Sequence, residues 1–135
     1  KISDLLIKYK VKAVIISNTT DKNRHNLSNI NKLEKGGLSG KPLEKKSNEL
    51  INKFYKILKN EVKIIGVGGV DSGQSAYQKI INGASLIQLY TGMIYQGPNI
   101  VSKINEELIN ILDKEGVQNI SDIVGSKKWT WRATS

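Results

Sequence analysis

Lys63-Ile64-Ile65-Gly66-Val67-Gly68-Gly69-Val70, followed by Asp71-Ser72, is the stretch on which the fold turns. Its apolar and β-favouring residues run without alternation, which suits a strand covered on both faces, as in a parallel sheet. The paired glycines at its carboxyl end bring bare main-chain N–H groups close to an anion and permit positive φ there. Asp71 or Ser72 then caps a helix that carries Ala76, Tyr77, Ile80 and Ile81 on one face. Strand, glycine turn and helix together make half of a phosphate site.

Upstream of this stretch, Val11-Lys12-Ala13-Val14-Ile15-Ile16-Ser17 reads as a second short buried strand. It ends in Asn18-Thr19-Thr20-Asp21, four polar side chains at the strand's exit; taken alone, they also suit an ordinary turn. Residues 21–46 show no regular period and contain Gly36-Gly37-Leu38-Ser39-Gly40-Lys41-Pro42. So long a loop in a compact domain is uncommon, and its unhindered amides and serine hydroxyl suit the wrapping of a cofactor. A flexible linker is the alternative, weakened by Leu38 and Pro42. Leu43 to Leu58 has helical spacing, with Leu50, Ile51, Phe54, Ile57 and Leu58 on the apolar side. Strand, loop, helix and strand make the right-handed connection that yields parallel strands.

Downstream, Asn82-Gly83 stops the helix, and Ala84-Ser85-Leu86-Ile87-Gln88-Leu89-Tyr90 is the third strand. Tyr90-Thr91-Gly92 and a brief apolar segment, Met93-Ile94-Tyr95, follow. Pro98 is placed at the first turn of a last long helix, whose stripe is Ile100, Val101, Ile104, Leu108, Ile111 and Leu112 and whose stop is Gly116. Residues 119–125 read as one more capped turn. Residues 126–135 are a basic tail with Trp129 and Trp131, which can stack on bases, sit at a membrane interface or cover the domain's outside.

With 135 residues and 39% hydrophobic content, the chain has enough for one core. It opens on Lys1 rather than Met, with a helix apparently under way, so it reads as a fragment. It has no cysteine, which excludes disulfides and thiolate metal sites, and no apolar run near the roughly 20 residues of a membrane span. The net charge of +9 raises a nucleic-acid reading. Against it, only Arg24 and Arg132 are arginines, and the lysines are scattered, which suits a solvated surface better than base or phosphate readout.

Three strand-to-helix units with polar residues at the strand's carboxyl end predict an α/β fold, either a (β/α) barrel or a doubly wound sheet, with the ligand at that end. Gly68-Gly69 after one strand and Tyr90-Thr91-Gly92 after the next match the usual barrel phosphate site. Other phosphate-binding barrel enzymes would share these two strand ends.

Ser17-Asn18-Thr19-Thr20, Gly36 to Leu43, Ile64 to Val70 and Gly83 to Gly92 together resemble dihydroorotate dehydrogenase, and their order and spacing are similar to its membrane-associated, quinone-using class 2. The four blocks cover most of residues 11–97. The resemblance implies that residues 1–125 are the C-terminal part of a (β/α)8 TIM barrel, with about three parallel strands and FMN above the strand ends. The family oxidises dihydroorotate to orotate in pyrimidine synthesis and passes the electrons through FMN to ubiquinone. Carried over, Asn18 and Thr19 would bind the orotate and Ser17 would line the flavin side. Ser39 and Gly40 would contact FMN, and Gly68, Gly69, Tyr90 and Thr91 would hold its phosphate. Family members often have serine where Thr91 stands, which preserves the hydroxyl donor.

The resemblance also implies that the catalytic serine, the lysine near the flavin and the N-terminal helices that bind quinone and membrane lie upstream. No catalytic residue and no metal ligand is therefore assigned here, and neither Ser39 nor His25 is given the serine's role. The whole protein would be a peripheral protein of a bacterial or mitochondrial inner membrane with no nucleic-acid partner. Residues 1–135 alone, with open sheet edges and uncovered apolar faces, are expected to fold poorly and to be inactive.

Overall fold

The computed structural model describes residues 1–22, 24–25 and 27–127. The tryptophans of the basic tail lie outside the described residues.

Three parallel strands, β1 (Ala13–Ile16), β2 (Lys63–Val67) and β3 (Leu86–Gln88), form a sheet in the order β1-β2-β3. Among the described residues five α-helices accompany them: α1 (Ile2–Lys8), α2 (Glu44–Leu58), α3 (Gly73–Ile81), α4 (Thr91–Gln96) and α5 (Ile100–Glu115). The register sets Ile15 beside Ile65 and Ile65 beside Leu86. All three strand ends therefore point the same way, as the alternation of strand and helix predicts.

The core has two parts. Ile16, Ile51, Leu58, Val62, Ile64 and Ala84 pack between the sheet and α1 and α2, while Val70, Ala76, Ile80, Ile100, Ile104, Leu108 and Ile123 join α3 to α5. Gly66 lets the first part close. A Cβ there would stand 2.9 Å from Ala84 Cβ, 3.0 Å from Ile51 Cδ1 and 3.2 Å from Lys79 Cδ.

The expectation of a strand covered on both faces is corrected. Helices cover one face, but on the other Ile15 is 56% and Leu86 60% exposed, so the unbroken apolar run is half covered among the described residues. The apolar stripes are also narrower than expected, because Leu50, Ile57 and Val101 lie at the helix flanks and remain exposed. Pro98 does not open α5. That helix starts at Ile100 with Asn99 as its N-cap, and Pro98 lies in the turn before it.

Helix α3 has a reciprocal cap. Ser72 Oγ accepts from the Ser75 amide at 3.3 Å, and Ser75 Oγ accepts from the Ser72 amide at 3.0 Å. Residues 119–125 contain the expected turn, a 3-10 helix over Ile120–Ile123 capped by Asn119.

The long loop is more ordered than its lack of period suggests. Thr20 and Leu38 exchange backbone hydrogen bonds at 3.2 and 2.7 Å, pinning its two ends together. Between them, the Arg24 guanidinium donates to the carbonyls of Lys32, Glu34 and Gly36. Lys41 then ties the loop to the sheet, with Nζ 2.8 Å from Glu44 Oε2 and 3.2 Å from Asp71 Oδ1. Burial pushes the Asp71 carboxyl up, but Lys41, Ser72 and Ser75 outweigh it and hold it below the usual range.

Two outcomes follow for stability. Gly66→Ala overfills the seam between β2 and the helices and lowers the unfolding free energy by about 1–3 kcal/mol, read from urea denaturation. Lys41→Met costs less than about 1 kcal/mol at neutral pH, because the clamp is largely solvated. Asp71's depressed value makes its share of that cost present above its ordinary value of 3.8 and lost as the pH falls through the lowered one. Thermal unfolding of wild type and variant is therefore expected to converge in acid.

Candidate functional site

A cleft of about 1020 Å³ opens at the carboxyl ends of the three strands, a size typical of cofactor sites. All nine residues singled out in the sequence line it.

From β1 come Ser17, Asn18 and Thr19. The Ser17 amide donates to the Val67 carbonyl at 3.4 Å, holding the tip of β1 against that of β2. Asn18 Oδ1 accepts from the Thr19 amide at 2.7 Å, so the polar turn orders itself. Gly37 packs on the Thr19 side chain so closely that no Cβ would fit.

The loop contributes Ser39 and Gly40. Gly40 has φ of 77°, and a Cβ on it would stand 2.9 Å from Thr91 Cγ2. Thr91 Oγ1 donates to Ser39 Oγ at 2.8 Å, so loop and third strand end meet across the cleft.

Gly68 and Gly69 leave β2 with φ of 107° and 74°, a conformation that side chains resist. A Cβ on Gly69 would stand 2.6 Å from Glu44 Cβ, in the first turn of α2. Among the described residues nothing accepts a hydrogen bond from the Gly68 or Gly69 amide. Tyr90 is the N-cap residue of α4 and is 75% exposed, and Thr91 opens that helix. Gly92 brings α4 onto the exit of β2, because a Cβ there would lie 2.5 Å from the Val70 carbonyl oxygen. The Gly68-Gly69 and Thr91 positions thus share one rim.

The chemistry offered is that of binding and orientation. Two glycine amides without partners and two hydroxyls converge where a phosphate would need donors, and Asn18 and Thr19 offer amide and hydroxyl groups on the other side of the cleft. These donors fit a phosphate group. Lys41 and Asp71, which both line the cleft, are already paired with each other. His25 is exposed in the long loop. Among the described residues no group of three His, Cys, Asp or Glu side chains could hold a metal, and no helix is long and apolar enough to cross a membrane.

Sequence reasoning missed two features. One is the Lys41–Asp71 clamp. The other is Lys79, which is 0% exposed and lies behind the rim, with Nζ 3.1 Å from Ser47 Oγ and 2.9 Å from Asn48 Oδ1. Its spacing gave a signal: Ala76, Lys79 and Ile80 fall at i, i+3 and i+4, on the face that packs inward.

Residues 1–112 match the family model described as dihydroorotate dehydrogenase. The chain is 46% identical over 112 residues to a dihydroorotate dehydrogenase (quinone) of Deinococcus radiodurans, with 83% of this chain and 30% of that protein aligned. It is 50% identical over 107 residues to the protein of that name from Buchnera aphidicola subsp. Schizaphis graminum, with 79% of this chain and 32% of that protein aligned. A crystal structure of ligand-free DHODH from Eimeria tenella superposes with a TM-score of 0.89 at 38% identity, over 93% of this chain and 34% of that one. The chain thus spans only about a third of these proteins. Sequence match, superposition and the order of the strand-end motifs agree, and the chain belongs to the dihydroorotate dehydrogenase family.

Proposed function

We propose that residues 1–125 form the C-terminal part of an FMN-binding (β/α)8 barrel that oxidises dihydroorotate to orotate and delivers the electrons to a quinone. The observation that carries this reading is the convergence of Asn18-Thr19, Ser39-Gly40, Gly68-Gly69 and Tyr90-Thr91 on one cleft. The apolar row Ile15, Ile65 and Leu86, uncovered at both its ends, suits the inward face of a barrel that further strands would close.

In this reading the chain's residues bind and position. Gly68 and Gly69 give their amides to the phosphate of FMN, and Ser39 and Thr91 exchange their mutual hydrogen bond for bonds to the cofactor. Gly40 keeps the loop low enough over Thr91 to close that side. Asn18 and Thr19 hold the flat anionic pyrimidine in plane, since an amide and a hydroxyl match its carbonyl and N–H edge, and Ser17 lines the flavin side of the same strand end. When bound there, FMN would supply the hydride acceptor for dihydroorotate and the electron donor for the quinone. The proton that leaves with the hydride needs a base, and none of the residues named here is assigned that role. Quinone as acceptor and peripheral attachment to a bacterial or mitochondrial inner membrane belong to the same reading, supported by the quinone-dependent enzymes among the relatives.

Asn18→Ala in the complete enzyme tests the substrate half. Losing hydrogen bonds to a charged substrate lowers kcat/KM for dihydroorotate by about 10- to 100-fold, with flavin content, read from absorbance, unchanged. Unaltered kinetics would favour another phosphate-binding barrel enzyme that uses the same two strand ends.

A further inference from the structure

Lys79 is the charged side chain among the buried residues described. It lies fully buried on α3, and among the described residues no carboxylate stands within ion-pair distance of it. Burial pulls its ammonium down to about 8, with Glu44 pulling it the other way, so it remains charged at neutral pH. Its partners are neutral: Ser47 Oγ at 3.1 Å and Asn48 Oδ1 at 2.9 Å, both on α2. A buried charge held in this way asks for a role that an apolar side chain would not fill.

The hydrogen bonds have one direction. An ammonium can only donate, so Ser47 Oγ must accept from Lys79. The single Ser47 proton is then committed to its other neighbour, the Val67 carbonyl at 2.5 Å. In a trans peptide the C=O of one residue and the N–H of the next point to opposite sides. Drawing the Val67 carbonyl toward α2 therefore turns the Gly68 N–H away from α2. Ser47 also packs under Gly68, whose missing Cβ would lie 3.4 Å from Ser47 Cβ.

We infer that Lys79 is a positioning residue for the phosphate cradle, acting through Ser47 and the Val67 carbonyl to aim the Gly68 amide at the cofactor's phosphate. This rests on the FMN reading above. Without Lys79 the Ser47 hydroxyl is free to turn toward other acceptors on its own helix, and the Val67 carbonyl keeps only its 3.4 Å hydrogen bond from the Ser17 amide.

The test compares FMN with riboflavin, which carries the same ring but no phosphate, by fluorescence titration of the complete apoprotein. Lys79→Met and Ser47→Ala are each expected to raise the Kd for FMN about tenfold and to leave that for riboflavin unchanged. The double variant is expected to be no worse than the worse single one, because both cut one chain of hydrogen bonds. Ser47→Thr, which keeps the hydroxyl, is expected to restore FMN affinity. Should Lys79→Met fail to fold, the Ser47 pair alone decides. Equal loss of both ligands, or no loss in Ser47→Ala, would overturn the inference. A wild-type protein that binds FMN no more tightly than riboflavin would overturn the flavin reading itself.

Discussion

At the carboxyl end of β2, loop residues and two helices, α2 and α3, press against a strand with almost no side chains to keep them away. Gly66 admits Ile51, Ala84 and Lys79, Gly68 rests on Ser47 and Leu43, and Gly69 meets the first turn of α2. Any side chain at Gly66 or Gly69 would push an element back by tenths of an ångström or more. The same absence of Cβ atoms leaves the Gly68 and Gly69 amides bare on the cleft side. Close packing behind the strand and unpartnered amides at its end thus have one cause, and one run of sequence supplies both.

The rest of the fold serves that end. The Thr20–Leu38 bridge and the Arg24 hydrogen bonds shape the long loop, and the Lys41 clamp fixes it to Asp71. Ser39 is thereby delivered to Thr91. On the far side, Glu107 of α5 accepts from the Gly73 amide at 2.5 Å, and Glu115 accepts from the Tyr77 hydroxyl at 2.7 Å, so α5 holds α3 at its first residue and at its middle. Burial and then the Glu115 carboxylate push the Tyr77 phenol up to about 12, which keeps it a donor at every physiological pH. The face that bears Ile15 and Leu86 has no such cover among the described residues.

What could be read in advance was what local chemistry writes into neighbouring residues. The three strands, the helix cap at Asp71-Ser72 and the Asn82-Gly83 stop came from runs and turns a few positions long, whereas the roles given to the nine cleft residues came from the family resemblance. Pairings across the chain came from neither. Lys41 finds Asp71 thirty residues away and Lys79 finds Ser47 thirty-two away; Lys41 looks like the solvated lysines around it, and the inward spacing of Lys79 does not name its partner. Coverage of the sheet was also misjudged, because an apolar run shows that a strand can be buried on two faces but not which chain segment buries them. Val101 and Ile57 made the helix stripes look wider for the same reason: apolar character alone does not fix which way a side chain faces.

The central claim is that bare amides at the end of β2, joined by the Thr91 hydroxyl, grip the phosphate of a flavin mononucleotide. A crystal structure of the complete protein with FMN bound measures this directly. The account predicts a phosphate within hydrogen-bond distance of the Gly68 and Gly69 amides and of Thr91 Oγ1, with the Ser39–Thr91 hydrogen bond opened. A phosphate seated elsewhere, with those two amides facing solvent, would contradict it.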